Sequence, residues 1–456
     1  MTYREAVSYL YSLEEERINL GLSRINALLS GLKVSLEQIK IVHIAGSNGK
    51  GSVAAMAGSI LAASGFKTGV YTSPHLCDFR ERIAIKTVKG QGSRVKGRNT
   101  KIITNLISEK ELVRWTQRIR PLVGRIEKAG LGRPTFFEVT TAVMFAYFAA
   151  EKVDYAVAEV GLGGRLDATN IVDPDVCVVT GISLEHTDRL GRSLSKIARE
   201  KCGIIKKGCP VVTGESKPGV LRVIADVCRK RHAQLIRVGG NASPVCTVSY
   251  RDAGHDIGGT GQYLDYFGTI HSLKKVAMNL AGRHQLANAG CALAAMEVLE
   301  SSFDFRFSDS CLRKGLLSAE WPGRCEVLRK NPLVVLDGAH NPSAARVLSE
   351  TIKRHFRYKK LFLVFGVLSD KDLKGIVGEI FPLAHSVFLT APESPRVLDP
   401  LAVLSALPFG LDCRVYVIPK IKEALKQAVR TAGKEDLVLI AGSFYMAGTA
   451  RNYFGR

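Results

Sequence analysis

Three groups of residues in this chain have the types and spacing for chemistry on a phosphate. The first is "IVHIAGSNGKGSVAAM", Ile41 to Met56, where an apolar run passes into a glycine-rich loop with one lysine and then into small residues. Glycines in such a loop let backbone N–H groups turn toward an anion, the lysine neutralises phosphate charge, and the following helix presents its positive end. "GSNGKGS", Gly46 to Ser52, departs from the strict G-x-x-x-x-G-K-[ST] pattern. Ile44 stands in the first glycine slot, and Gly51 stands where a magnesium-binding hydroxyl is expected. Metal ligands are therefore expected from elsewhere in the chain.

The second and third groups supply candidates, in "YTSPHLCDFRERI" and in "VAEVGLGGRLDATN" with "ISLEHTDRLG". Ser73 lies just past a short apolar run. Glu159 ends an apolar strand, where a carboxylate is costly to bury unless it pairs, for which Arg165 is the nearby cation, or binds a metal. His186 lies just past the next apolar run. Open α/β sheets gather their ligand loops beyond the strand ends, so Ser73, Glu159 and His186 are expected to converge on one sheet edge.

Positioning these loops requires strands and helices in alternation. "IKIVHIAG", "KTGVYT", "DYAVAEVG" and "DVCVVTGI" read as strands apolar on both faces, with helices predicted over 50–64, 108–129 and 136–151. That pattern argues for a mostly parallel sheet covered on both sides. From about Ala242 to Lys274 the chain turns rich in glycine, polar residues and β formers, a β-rich elaboration closing the first domain. A helix follows at "HQLANAGCALAAMEVLE". After "SAEWPGR" a second alternating series runs through "PLVVLDGAHNP", "KKLFLVFGVL", "HSVFLT", "CRVYVIP" and "DLVLIAGS". The expected fold is α/β: a P-loop-type, mostly parallel sheet domain over 1–318, then a smaller Rossmann-like α/β domain over 319–456, with the hinge at Ser318 to Arg324.

Composition bounds the function. The 456 residues suffice for two or three domains, each with its own core. The longest apolar run, "TTAVMFAYFAA", is roughly half of the ~20 residues a membrane span needs, so no span is predicted. The acidic, amphipathic N-terminus does not resemble a secretory leader, and the ten cysteines lack any C-x-x-C pair, which points to reduced thiols in the cytoplasm. Lys and Arg exceed Asp and Glu by 64 to 42, a net +22 that suits nucleic acid or small anions equally. The densest basic run, Lys86 to Lys101, has no aromatic residue to stack on bases and reads as a solvated loop.

Taken in order, "HIAGSNGKGS", "SPHL" with "ERI", "FFEVTTA", "EVGLGGRLDATN", "LEHTDRLG", "EKCGIIK", "GRHQLANA", "WPGR", "LDGAHNP", "GVLSDKD" and "AGSFY" resemble the folylpolyglutamate synthase/dihydrofolate synthase family of the Mur ligase superfamily. The resemblance spans nearly the whole chain. It implies an ATP-dependent ligase that phosphorylates a pteroate or folate carboxylate and couples it to L-glutamate, with ATP and two magnesium ions. Its expected partners are these small molecules, with no nucleic acid and no membrane, and it is expected to act as a monomer.

By the same resemblance, Gly46, Asn48, Gly49, Lys50, Gly51 and Ser52 bind the ATP phosphates, and Ser73, Glu159 and His186 serve the metal. Lys201 matches a lysine that carbon dioxide carbamylates. Asn288, Arg324, Asp337 and His340 match nucleotide contacts, with Lys50, His186, Lys201 and Arg324 closest to catalysis. Ser343 and Ser369 to Asp372 are expected at the glutamate pocket. Gly-Ser-Asn for Gly-Thr-Asn and Leu-Glu-His for Leu-Asp-His keep the chemistry, whereas the basic loop after "ERIAI" departs from the family's short turn. A peptidoglycan Mur ligase shares the phosphate loop, but "SPHL", "EVGLGGRLDATN" and "WPGR" favour the folate branch. A nucleic-acid-dependent P-loop ATPase requires the strict loop that this chain lacks. A degenerate nucleotide-binding module is opposed by the joint presence of Lys50, Ser73, Glu159, His186, Lys201 and Arg324.

Overall fold

The β-branched runs of the first half assemble one long sheet, whose strands are β1 (Lys40–Ala45), β2 (Thr68–Tyr71), β3 (Ile83–Val88), β4 (Ile102–Leu106), β5 (Tyr155–Glu159), β6 (Val176–Val179), β7 (Val211–Thr213), β8 (Leu235–Gly240), β9 (Val248–His255), β10 (Gln262–Phe267) and β11 (Ser272–Met278). The computed structural model describes residues 1–13, 21–89, 101–240, 246–256, 259–394, 396–408 and 410–455. Among these the spatial order is β11-β10-β9-β8-β7-β6-β1-β5-β2-β3-β4. Strands β9 to β2 in that order pair parallel, while β10 and β11 at one end and β3 and β4 at the other are antiparallel.

The β-rich elaboration is thus an extension of the same sheet. The hairpin β3–β4 differs from the expectation of one solvated basic loop. Lys86 lies in β3, only 7% exposed, and donates from Nζ to Ser59 Oγ at 3.2 Å, because its aliphatic stem packs over Gly58. The rest of that basic run, 90–100, lies outside the described residues.

The helices cover the sheet for identifiable reasons. Lys50–Ala63 is built almost wholly of small and apolar residues and is buried on nearly every side. Such a helix belongs between layers rather than on a surface. The helix Asp309–Leu317 packs across it closely enough that a Cβ on Gly315 would stand 2.4 Å from Ile60 Cα. Phe136–Ala150 starts with a capping box in which Thr135 and Glu138 exchange hydrogen bonds. The Glu138 carboxylate also receives Arg24 Nε at 2.9 Å, with both side chains 6% exposed. This pair ties the helix Ser23–Leu32 to the start of the helix that carries Phe136.

The second half forms a six-stranded sheet from β12 (Glu326–Lys330), β13 (Leu333–Leu336), β14 (Leu361–Phe365), β15 (Ser386–Ala391), β16 (Arg414–Lys420) and β17 (Leu437–Ala441), in the order β12-β13-β17-β14-β15-β16. All pairs are parallel except β12–β13. Ala319 is buried in the core of the first sheet and Cys325 in that of the second, so the crossing segment is only a few residues long. Among the described residues no helix is long and apolar enough to cross a membrane.

Breaking a buried ion pair leaves an uncompensated charge, at a cost of about 3–5 kcal/mol. Arg24→Met is expected to lower unfolding free energy by about 3 kcal/mol in urea titration, and Arg24→Met/Glu138→Met to recover part of that loss. A double variant no more stable than the single one would show that capping by Glu138, not the pairing, carries the energy.

Candidate active site

Strand register gathers the site. Ile44 lies opposite Glu159 on β5, and Ala45 opposite Val179 on β6. The loops leaving β1, β5 and β6 therefore emerge side by side at the carboxyl ends, where β1 sits between strands that come later in the chain. Ser73 follows β2, whose Tyr71 pairs with Ala158. Ser73 and Glu159 meet through a hydrogen bond, and His186 lies on the loop after β6, two strands from β5.

The phosphate loop is fastened to the loop after β6. Ser47 and Asn48 N–H both donate to Gly181 O, at 2.9 and 3.3 Å, Ser47 Oγ donates to Ser183 O at 3.1 Å, and Ser183 N–H returns a bond to Ser47 Oγ at 3.0 Å. Gly46 is required because a Cβ would stand 1.7 Å from Thr180 Oγ1. Gly49 has φ 93°, and Asn288 Oδ1 would lie 2.5 Å from its Cβ, so Asn288 flanks the loop. Glu215 at the end of β7 holds the loop after β6 from behind, accepting Ile182 N–H at 2.7 Å.

Gly51 has a specific neighbour. A Cβ there would lie 2.3 Å from Cζ2 of Trp321, whose ring comes from the segment joining the two sheets. The slot that holds a hydroxyl in the strict pattern is filled here by an indole.

Two lysines meet at one carbonyl. Lys50 Nζ donates to Gly46 O at 3.0 Å and Lys201 Nζ donates to the same oxygen at 2.8 Å. Lys201 is also paired with Glu185 Oε1 at 2.8 Å. Burial, reinforced by the charge of Lys50, presses the Lys201 ammonium down to about 8. Burial pulls the Glu185 carboxyl up, but Lys201 and Lys50 hold it below its ordinary value.

Glu159 sits between the two halves of the site. Its Oε1 lies 3.8 Å from Lys50 Nζ, and its Oε2 accepts Ser73 N–H at 3.4 Å. Burial pushes its carboxyl up to about 7, with Lys50 the largest opposing influence. It does not pair with Arg165, which turns outward to Glu200 at 3.2 Å. His186 has φ 46°, and burial lowers its pKa despite the neighbouring Glu185, leaving a neutral imidazole beside the two lysines.

Beneath Glu159, Asp167 of the "LDATN" stretch accepts Leu162 N–H at 2.9 Å and the Thr169 hydroxyl at 2.6 Å. That hydroxyl in turn faces His43 Nε2 at 2.8 Å, and since its proton goes to Asp167, the imidazole donates. The chain His43–Thr169–Asp167 locks the loop after β5 onto β1.

From the joining segment, Arg324 lies with its guanidinium 4.7 Å over the Phe444 ring, and its charge is felt at Glu159, Asp337 and His340. Asp337 accepts Cys325 N–H at 2.9 Å and Ala339 N–H at 2.8 Å, which shapes the turn around Arg324. His340 donates from Nδ1 to Gly338 O at 2.8 Å, leaving Nε2 as an acceptor. The charge of Lys371, in the Ser369 to Asp372 stretch, reaches both His186 and His340. Ser343 stands exposed on the first turn of the helix Pro342–His355.

Sequence reasoning missed a wall of side chains next to Ser73. Tyr11 stacks on Phe136 at 5.3 Å, and Phe79 packs edge-on against both rings. His75 receives Arg82 Nε at 2.8 Å on Nδ1 and meets the Tyr11 hydroxyl at 3.1 Å through Nε2. The Arg82 guanidinium lies 5.2 Å over Phe136. Phe79, Phe136 and Arg82 are buried, so Tyr11 and His75 are the accessible members of the wall. Its signal was in "PHL", "FRER" and "TFFE", but the three pieces come together only in space.

Two family models match the chain, the Mur ligase middle domain over 99–296 and the Mur ligase, glutamate ligase domain over 323–444. The dihydrofolate synthase/folylpolyglutamate synthase of Bacillus subtilis is 31% identical, over 98% of this chain and 98% of its own length. A probable bifunctional folylpolyglutamate synthase/dihydropteroate synthase of Halobacterium salinarum is 36% identical over 100% of this chain, which spans about half of that relative, 52%. The solved structure of an Escherichia coli protein in complex with DHPP and ADP aligns with a TM-score of 0.83 and 30% identity, covering 100% of this chain and 98% of that one.

If the Trp321 ring dictates glycine at 51, Gly51→Ala should weaken nucleotide binding about tenfold on its own and by much less in a Trp321→Leu background. Titration of a fluorescent nucleotide into the four proteins measures this. Equal losses in both backgrounds would free Gly51 from the indole.

Proposed function

The chain belongs to the dihydrofolate synthase/folylpolyglutamate synthase family of Mur ligases, and from that premise we propose how its site performs the reaction. It is an ATP-dependent ligase that joins L-glutamate to a folate-type carboxylate. A carboxylate oxygen attacks the γ-phosphorus and the bond to the β-phosphate oxygen breaks, releasing ADP. The glutamate amine then attacks the acyl carbon, the C–O bond to phosphate breaks, and the amine proton is lost. Such chemistry rests on positioning and on charge stabilisation.

One observation carries the assignment of roles. Glu159 touches the phosphate-loop lysine through one oxygen and the Ser73 loop, beside the aromatic wall, through the other. The nucleotide half and the acceptor half thus share one carboxylate. Lys50 neutralises the β- and γ-phosphates, and Arg324 adds charge from the joining segment. Asp337 and His340 hold the turn around it. Tyr11 and His75 of the aromatic wall orient the acceptor, whose carboxylate end reaches toward Lys50 and Glu159, and Lys371 with Ser343 receives the incoming glutamate.

Magnesium fits this site. Burial holds the Glu159 carboxyl up to about 7 even with Lys50 at 3.8 Å, and a divalent ion would supply the further positive charge that favours its ionised form. Among the described residues no three His, Cys, Asp or Glu side chains are placed to hold a metal by themselves. Ser73, Glu159 and His186 would share it with phosphate oxygens, and two such ions would offset the charge between phosphates and carboxylate. Lys201 suits carbamylation because burial and Lys50 favour its neutral amine, which is the form that adds carbon dioxide. The resulting anion beside Glu185 requires a cation between them, which ties the modification to the metal.

We keep the division of labour at 1–318 and 319–456, a boundary at the start of the short segment between Ala319, in the core of the first sheet, and Cys325, in that of the second. A single chain, acting as a monomer, is the catalytic unit in this reading. The ten cysteines are free thiols, Cys177 and Cys209 lying 3.6 Å apart through sulfur, which supports a cytoplasmic setting. Both dihydropteroate and reduced folates are substrates, the reading that the name of the Bacillus subtilis relative favours.

ADP release with magnesium, ATP and glutamate, assayed separately with dihydropteroate and tetrahydrofolate, should proceed with both. Turnover with one alone assigns a specialised enzyme, and turnover with neither removes the folate assignment. Lys50→Ala is expected to cut kcat/KM by about a thousandfold, some 4 kcal/mol of lost transition-state stabilisation; near-normal turnover would displace it from the phosphates. Lys201→Ala should lose activity and regain part of it with added short carboxylic acids. Wild-type protein under labelled carbon dioxide should show a carbamate carbon resonance that the variant lacks, and its absence from wild type would leave Lys201 unmodified.

A further inference from the structure

The "ERI" motif contains a carboxylate that the reaction does not use. Glu81 accepts three backbone N–H groups in succession, Leu76 at 2.7 Å on Oε2, and Cys77 and Asp78 at 3.1 Å each on Oε1. Asp78 is the N-cap of the short helix Phe79–Arg82, and a capping box needs only the bond from Glu81 back to Asp78 N–H. The other two bonds reach further upstream, into a stretch that forms no strand or helix of its own.

That stretch carries several contacts of the acceptor side. Ser73 gives its N–H to Glu159, and His75 joins Tyr11 to Arg82. Leu76 fills the space over Gly323, where a Cβ would lie 3.2 Å from its Cδ1, and its carbonyl oxygen would stand 2.3 Å from a Cβ on Gly448. Leu76 is thus packed against both the joining segment and the last helix, Phe444–Tyr453. A loop with so little regular structure needs its amides satisfied to hold one shape.

We propose that Glu81 is a positioning residue for the pteroate or folate acceptor: its carboxylate gathers the amides of Leu76, Cys77 and Asp78 and so fixes His75 against the aromatic wall and Ser73 against Glu159. It touches neither nucleotide nor reacting atoms in this role. Glu81→Gln keeps the shape but turns one acceptor oxygen into an N–H2 that faces N–H donors. Glu81→Asp keeps the charge but falls one methylene short of the full set.

This inference rests on the proposed folate reaction, so wild type and variants are assayed together. Glu81→Gln is expected to raise KM for dihydropteroate or tetrahydrofolate about tenfold while KM for ATP and the nucleotide Kd stay within twofold, with Glu81→Asp intermediate. A general loss of structure would move both substrates and lower the melting temperature, so the split separates positioning from stability. Hydrogen exchange on the wild type provides a test that needs no variant to fold: the amides of Leu76, Cys77 and Asp78 should be protected. An unchanged folate KM in Glu81→Gln, a rise shared equally by ATP, or free-peptide exchange at those amides overturns the proposal. Wild type inactive with both acceptors would overturn the folate reading instead, and the exchange experiment then decides whether the carboxylate holds the loop.

Discussion

The site is organised around one carbonyl oxygen that two ammonium groups share. With Lys50 and Lys201 at 3.0 and 2.8 Å from Gly46 O, their charges are no further than about 6 Å apart, a repulsion on the order of 3 kcal/mol at an effective dielectric of about 20. The protein offsets it incompletely. Glu185 sits directly on Lys201, but Glu159 stays 3.8 Å from Lys50 and its carboxyl is displaced upward by burial. Positive charge is therefore concentrated at the mouth of a helix whose first turn is itself positive, and anionic phosphate is the ligand that relieves the repulsion.

Holding these charges in place is the work of the sheet. Adjacent strands β5, β1 and β6 deliver Glu159, the phosphate loop and the Ser183–His186 turn to one edge, and each loop is then fastened to its neighbour rather than left to the strands alone. Ser47 and Ser183 exchange hydrogen bonds, Glu215 grips Ile182, and Asp167 reaches His43 through Thr169. Buried polar networks of this kind are stabilising only when their members are paired, and here the pairs lie along the margin where substrate charges must be aligned.

Much of this arrangement was legible in the chain. Period and β-branching revealed the parallel strands, and the glycine loop, Glu159 and His186 announced themselves by type and by place at strand ends. The hairpin β3–β4 was hidden because the basic residues of 86–101 masked a strand whose lysine is buried along its stem. The aromatic wall was hidden for a different reason. Tyr11, His75, Phe79, Arg82 and Phe136 are ordinary in their local sequences, and only the packing of the first helix, the Ser73 loop and the start of the helix Phe136–Ala150 makes them neighbours. Glu185 was read as a harmless replacement for aspartate. Its role as the partner of Lys201 depends on a contact across sixteen residues that no period reports.

The departure at Gly51 has a physical origin that the loop alone does not disclose. In a strict phosphate loop a hydroxyl at this slot serves the metal from within the helix, and the loop is complete by itself. Here the indole of Trp321 takes that volume, so the first turn of the helix bears the joining segment instead of a metal ligand. The neighbouring oxygen groups, Glu159 and the Ser73 loop that donates to it, lie one strand and one loop away, on the side where the aromatic wall stands. Arg324 follows Trp321 by three residues, and its charge reaches Glu159. The phosphate loop is thus tied both to the Ser73 loop, through Lys50 and Glu159, and to the segment joining the two sheets, through Trp321. That dependence suits a reaction whose phosphorylated intermediate must be kept from water until the amine arrives.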